Sequence, residues 1–303
     1  MPALRGKSGR KSGNGLHPRT SFDGRSGRDL LYPSFEFYPG NPERVPSVDN
    51  LSPYLTINSV TVEPTFRYKG GDAGASGLGI WGYGTALTAA GSGGSFATGS
   101  PLHATNDDSY DGANARYFTG GSVHQVTTED IVIEAVVHIV TGGTHNIITK
   151  RDGVNAGYSL QIDTNGSALV LIEDTAAATA TVTSAADLGW CHIIAFVDRS
   201  GSAQVYINGT ASGAAVDFSA AAASLTNTAD FVVGATSAGA NIANGVNIAY
   251  VALWQSAGWL DTHLQANVAV DRCAQMAGVY PTRAAGSARP TVMARTSSAM
   301  LRK

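Results

Sequence analysis

Along DIVIEAVVHI, residues 130–139, Ile131, Ile133, Ala135, Val137 and Ile139 fall on one side of an extended chain, with Val132, Glu134, Val136 and His138 on the other. Alternation with a period of two predicts a β-strand with one wholly apolar face and one mixed face. Similar runs follow, separated by turn residues: THNIITK, YSLQID, ALVLIED, TAAATATVTSA, DFVVGAT and NIAYVALWQSAG. In GWCHIIAFVDRSGSAQVYING, residues 189–209, Ile193, Ala195 and Val197 alternate with Ile194 and Phe196, so neither face is polar and the strand is expected to be central and covered. Asp198-Arg199-Ser200-Gly201 supplies a turn, and Asn208-Gly209 suits the positive φ values of a two-residue hairpin. Beyond the last strand, Leu260, Leu264 and Val268, spaced by four, predict one short helix that Gly278 and Pro281 would end.

The pattern fades outside this region, which divides the chain into four. Residues 1–30 read as a basic arm, 31–105 as an extended Pro/Gly-rich segment with one or two strands, 106–280 as an antiparallel β-sandwich, and 281–303 as a basic tail. The expected class is therefore all-β. The 31–105 segment has too few regular apolar positions to build a core alone and is expected to drape over a neighbour.

Composition narrows the class. Charged residues are 14% of the chain, against about 25% in an average domain, while apolar residues reach 43%, which excludes disorder throughout. No apolar run is long enough to cross a bilayer, and the first thirty residues lack the apolar core of a secretory leader, so no membrane partner is expected. The net charge of −3 hides an asymmetry. Residues 1–29 carry Arg5, Lys7, Arg10, Lys11, Arg19, Arg25 and Arg28 against Asp23 and Asp29, or +5; residues 282–303 carry another +5; the remainder is −13. Basic ends on an acidic body could hold nucleic acid, a membrane, an acidic surface or an identical neighbour. No aromatic residue interrupts Arg5 to Arg19, so the stacking platform of a single-strand binder is missing and nucleic acid is disfavoured.

Several residues in the central stretch resemble a known family. LGWCHIIAFVDRSGSAQVYINGT is similar to the central hairpin of laminin-G-like, concanavalin A-like jelly-roll domains, with Trp190, His192, Asp198, Tyr206, Asn208 and Gly209 at the family's positions and Cys191 replacing the first histidine of a pair. The order of the surrounding runs fits over roughly residues 113 to 275. The resemblance implies a jelly-roll sandwich and places the chain among lectins, adhesion modules, virion proteins and glycoside hydrolases, so fold alone cannot choose a function. Trp190, Asp198, Asn208 and Gly209 are expected to define the fold: the indole plugging the sandwich, Asp198 starting a turn, and Asn208-Gly209 reversing the chain.

Candidate chemistry is thin. EDIVIE, Glu129 to Glu134, looks briefly like the acid motif of related glucanases. Residues an odd number apart on a strand face opposite ways, however, so the two glutamates could not flank one glycosidic bond. Glu134 and His138 share a face and are expected to form a polar pair on a mixed surface. No His-rich ligand spacing occurs; Asp107, Asp108 and Asp111 in TNDDSYDG could offer oxygens to calcium, but a solvated loop is the favoured account of them. Cys191 and Cys273 are expected to be buried free thiols. Trp81, Tyr83, Tyr110 and Tyr158 stand in loop-like contexts suited to an aromatic platform for sugar, but any of them could simply cover the core, and none is singled out. No catalytic residue is expected. The leading expectation is a structural virion protein of a tailed bacteriophage, whose arms hold other virion subunits or a second copy while the sandwich contacts surface glycan. A bacterial carbohydrate-binding module or adhesin is the alternative.

Overall fold

The computed structural model describes residues 52–69, 87–91, 95–97, 109–111, 117–151, 156–176, 178–184, 188–260 and 262–277. All belong to one unit, Val45–Lys303. Its first strands are short: β1 (Leu55–Ile57), β2 (Val60–Val62), β3 (Phe66–Lys69), β4 (Thr88–Ala90), β5 (Ser95–Ala97), β6 (Ser109–Asp111) and β7 (Tyr117–Thr119). The longer strands follow, where alternation is cleanest: β8 (Asp130–Ile139), β9 (His145–Arg151), β10 (Gly157–Ile162), β11 (Ala168–Glu173), β12 (Thr179–Ser184), β13 (Gly189–Val197), β14 (Ser202–Ile207), β15 (Thr210–Asp217), β16 (Val232–Val233) and β17 (Val246–Ser256). Helix α1 (Thr262–Ala277) closes the series.

These strands form two antiparallel sheets and a small hairpin, as expected for the class. One sheet has the order β12-β11-β10-β9-β16-β7-β4; the other runs β15-β14-β13-β8-β17-β6-β5, with β3 also on β17; β1 and β2 pair with each other. One edge of β17 is thus shared, β6 pairing at Asn247 and Ile248 and β3 at Tyr250 to Leu253. The run DFVVGAT gives only the two residues of β16, and its flanks continue along the same neighbours: the Phe231 amide donates to Gly121 O (2.8 Å), just past β7, and the Gly234 amide to Ile147 O (3.1 Å) of β9.

The main core lies between the sheets, where Ile131, Ile133, Ala135, Val137 and Ile139 of β8 meet Tyr158, Leu160 and Ile162 of β10. Phe66 and Tyr68 of β3 enter the same core, so the segment ahead of residue 106 helps to build it.

A second apolar layer covers the outer face of the eight-stranded sheet. Val132, Val136, Ile194, Phe196, Tyr250 and Trp254 pack there under Leu55 and Ile57 of the β1–β2 hairpin and under Trp259, Ala269 and Met276. Helix α1 turns Gln265, Ala269, Arg272 and Met276 inward, a spacing of three and four, while Val270 stays exposed. The mixed face of β8 is consequently covered rather than wet.

Turn chemistry sets the hairpins. Asp198 Oδ1 accepts the Ser200 amide (2.9 Å) and hydroxyl (2.8 Å). Asn208 and Gly209 take φ of 50° and 80°, and the Asn208 carboxamide oxygen accepts the His192 amide at 2.9 Å, tying the turn back to β13. Among the described residues no helix is long and apolar enough to cross a membrane.

Candidate functional site

Strands β9 and β10 lie side by side in the seven-stranded sheet and send their apolar residues inward. Their other residues, paired as Asn146 with Gln161 and Thr149 with Ser159, face outward, and all four are uncharged and polar. The loop after β16 rises beside them: the Thr236 amide donates to Ala240 O and the Gly239 amide to Thr236 O, both at 2.8 Å, while Asn241 adopts φ 47°. Loop and sheet enclose a groove of about 220 Å³ lined by Asn146, Thr149, Arg151, Ser159, Gln161, Thr236, Ser237, Ala238 and Asn241. Asn146, Thr149 and Ser159 are buried at its base, with the Thr149 hydroxyl donating to Asn146 Oδ1 at 3.0 Å, and Gln161, Ser237 and Asn241 form the rim.

The electrostatics of the groove are nearly neutral. Its one cation, Arg151, is held by Glu173 on β11, Nε to Oε2 at 3.0 Å with a second, closer contact from Nη2. No carboxylate belongs to the lining among the described residues. Such a site supplies amide and hydroxyl partners for the hydroxyl groups of a ligand, and its volume suits one small ring rather than a drug-sized molecule, for which about 300–1,000 Å³ is usual.

A second polar cluster is structural. Glu134 on β8, fully buried, receives Arg272 of α1 at Oε1 (3.0 Å) and Oε2 (2.5 Å) and lies 2.8 Å from His192 Nε2. Burial alone would raise its carboxyl, but the Arg272 guanidinium and the His192 imidazole override it and bring the pKa down to about 2. Arg272 also donates to Ser52 O at 3.0 Å, so one side chain joins sheet, helix and the approach to β1.

Residues 111–258 match the family model described as the concanavalin A-like lectin/glucanases superfamily. Over that stretch the chain is similar to the superfamily, and its two antiparallel sheets have the matching sandwich architecture. The chain's similarity to solved structures is one of fold. The binding domain of Paraclostridial Mosquitocidal Protein 1 superposes with a TM-score of 0.50 at 10% identity, covering 69% of this chain and 51% of that one. The botulinum neurotoxin serotype G binding domain gives 0.49 at 14% identity, over 71% and 51%. Domain 4 of AbnA, a GH43 extracellular arabinanase from Geobacillus stearothermophilus solved with arabinotriose, gives 0.49 at 16%, over 69% of this chain and 98% of that one. The chain thus spans about half the length of the toxin binding domains it matches. No curated protein matches it in sequence.

Within the sandwich several residues stand elsewhere than the sequence suggests. Trp190 does not plug the sandwich; it lies on the outer face of β13, half-buried at the margin of the second layer, its ring 5.2 Å from His138. The reason is parity: Cys191, Ile193, Ala195 and Val197 take the inward positions, which sends Trp190 outward with His192 and Ile194. Glu134 does not pair with His138 on a mixed surface but is sealed under α1. Tyr158 is no platform, since it is fully buried with its hydroxyl donating to His124 O at 3.0 Å. Glu129 accepts the Thr127 amide (2.6 Å), and Asp130 accepts the Arg199 and Trp259 amides (2.9 and 3.1 Å), so EDIVIE distributes its acids among three separate tasks.

Cys191 and Cys273 are buried and unbridged. Asp111 sits in β6 next to Asn247 of β17, and Tyr110 next to Ile248. Arg5, Lys7, Arg10, Lys11, Arg19, Trp81, Tyr83, Asp107 and Asp108 lie outside the described residues. Among the described residues no group of three or more His, Cys, Asp or Glu could hold a metal ion. The groove residues were not singled out in the sequence. The available signal was that Asn146, Thr149, Ser159 and Gln161, the polar positions facing one way on adjacent strands, carry amides and hydroxyls in place of the usual surface charges.

Proposed function

We propose that the chain is a structural virion protein of a tailed bacteriophage whose lectin-like sandwich contacts glycan through the groove over β9 and β10. The observation that carries the glycan reading is the lining itself: three carboxamides, hydroxyls from Thr149, Ser159, Thr236 and Ser237, and a guanidinium already neutralised by Glu173. Neutral polyhydroxylated ligands are recognised by such groups, and buried hydroxyls at the base reject analogues that cannot satisfy them. Glycoside hydrolysis would require two carboxyl groups about 5–9.5 Å apart across the ligand, and the described lining offers none.

The assembly part of the reading rests on charge. Ends of +5 and +5 around a body of −13 favour docking of each extremity onto an acidic neighbour, including a second copy of the same chain. The family resemblance to jelly-roll modules of phage virions points the same way. A glycan array probed with the full chain, beside its Gln161→Ala and Asn241→Ala variants, tests the groove: reproducible hits that both variants lose are expected, and a blank array defeats the glycan reading. Deleting residues 2–30 tests assembly. The shortened protein should stay folded yet fail to enter particles, and normal incorporation would refute the virion role of the arm.

A further inference from the structure

The groove over β9 and β10 has a wall on one side only. The 236–241 loop closes it beyond β9, but among the described residues none from β11 lines it, so it is open in that direction. The register shows what lies there. On the outward face Thr149, Ser159, Leu171 and Thr181 form one row across β9, β10, β11 and β12, and Asn146, Gln161, Leu169 and Thr183 form the next. Parity fixes the direction. Val170 and Ile172 of β11 and Val182 of β12 are buried between the sheets, which turns Leu169, Leu171, Thr181 and Thr183 outward. The two leucines are half-buried and belong to neither apolar cluster.

The rows pass from a polar floor to an aliphatic ridge and on to hydroxyls. Ser159 is only 4% exposed, yet its hydroxyl bonds to no described residue, and the same holds for the Gln161 carboxamide and the Thr181 and Thr183 hydroxyls. A buried hydroxyl without a partner is costly unless one is supplied from outside. From β9 to β12 there are three strand spacings, about 14 Å, a longer reach than one small ring has.

Charge borders the rows without entering them. On one flank Glu173 holds Arg151 across Gly157. On the other the Asp163 carboxylate accepts the Asn165 and Ser167 amides, both at 2.8 Å. Two strands beyond β9, Asp230 accepts the Thr119 hydroxyl at 2.9 Å. Three bordering carboxylates and one cation already paired disfavour an anionic ligand. A sugar ring carries C–H groups on its faces and hydroxyls on its rim. Successive rings laid across the strands would meet aliphatic carbon at Leu169 and Leu171 and hydrogen-bonding partners on either side.

On the glycan reading of the groove, on which this step rests, we infer that the groove is the first subsite of a longer strip. A neutral linear oligosaccharide lies across β9 to β12, one ring in the groove and the following rings over Leu169 and Leu171. Affinity then depends on chain length as well as on the identity of the first sugar.

The test uses the full chain with ¹³C-methyl leucine, its Leu169 and Leu171 signals assigned through Leu169→Ile and Leu171→Ile. Methyl glycosides of glucose, mannose and xylose are titrated beside cello-, manno- and xylo-oligosaccharides of two to four rings, with affinities read by calorimetry. At least one series should bind about tenfold tighter than its own methyl glycoside, the scale of covering exposed leucine surface. That series should also shift both leucine signals saturably, while the methyls of buried Leu160 stay in place and report an intact fold. Leu171→Ser and Thr181→Val should each bring the oligosaccharide down toward the affinity of the methyl glycoside. Asn241→Ala, on the loop wall, should weaken every length alike. Oligosaccharides that bind no tighter than their methyl glycosides, or that leave both leucine signals unmoved, would overturn the strip while the groove stands. No binding at any length would overturn the groove and the strip together. Leucine signals that move with protein concentration in the absence of sugar would give this face to a second copy and overturn the strip.

Discussion

Replacing Arg272 by methionine keeps much of the side-chain volume under the helix but strands Glu134. The carboxylate is wholly buried, and its remaining partner is His192 at 2.8 Å. Its pKa of about 2 against an ordinary 4.5 corresponds to roughly 3 kcal/mol of preferential stabilisation of the charged form. Removing one member of a buried ion pair typically costs about 3–5 kcal/mol, because the survivor keeps its desolvation penalty. Arg272→Met is therefore expected to lose about 3 kcal/mol at pH 7, read by urea unfolding of the full chain through Trp254 and Trp259, which pack in the layer the helix covers. The double variant Glu134→Gln/Arg272→Met should recover a good part of that loss. The pH dependence follows from the depressed carboxyl: its contribution is complete above 4.5 and disappears as pH falls through about 2, a decline that Glu134→Gln should abolish. A loss under about 1 kcal/mol in the single variant, or strict additivity in the double, would show that the pair is not a coupled clamp.

Three further perturbations test the packing. Gly157 has φ +128°, and a Cβ there would sit 2.0 Å from Lys150 O, so Gly157→Ala should yield insoluble protein or a melt lowered by at least about 10 °C; a shift of a degree or two would mean that β9 and β10 can spread. Lys150, fully buried, donates to Asn227 O (3.1 Å), Asn227 Oδ1 (2.9 Å) and Ala229 O (2.5 Å); Asn227 O keeps Gln125 Nε2 (2.7 Å) and Asn227 Oδ1 keeps the Ala229 amide (2.9 Å), so Lys150→Met should cost about 2 kcal/mol in urea unfolding, chiefly by removing the donor to Ala229 O. His124 is pushed down from 6.5 to about 4 by burial and by nearby Lys150, so the unfolded chain takes up a proton the folded chain refuses. Stability should fall by up to about 2 kcal/mol between pH 6.5 and 4, allowing for partial exposure. His124→Asn, which tolerates the φ of 53° found there, should flatten that slope in melts run across this range.

The strands were legible because their inward positions alternate without interruption, as in β8 and β10, and because Asn208-Gly209 allows one tight reversal. The covered outer face was not. Glu134 and Arg272 are 138 residues apart, and nothing local to either announces the other. An acid within an apolar strand therefore reads as solvent-facing when its partner is a helix that arrives later. The groove escaped for a similar reason: its lining comes from β9, β10 and a loop some eighty residues on, and each contribution alone looks like an ordinary wet surface. Only the analogy makes Trp190 a plug; parity counted from Ile193 turns it outward.

The second apolar layer also says where this protein can be cut. The stretch that matches the family model ends at residue 258, before Trp259 and all of α1, and begins after Leu55 and Ile57. A fragment trimmed to 111–258 would keep every long strand yet bare Val132, Val136, Ile194, Phe196, Tyr250 and Trp254 on a single flat side, a greasy panel that would drive clumping. The match thus marks out a piece smaller than what can live alone in water, and the flanking hairpin and helix serve as its raincoat.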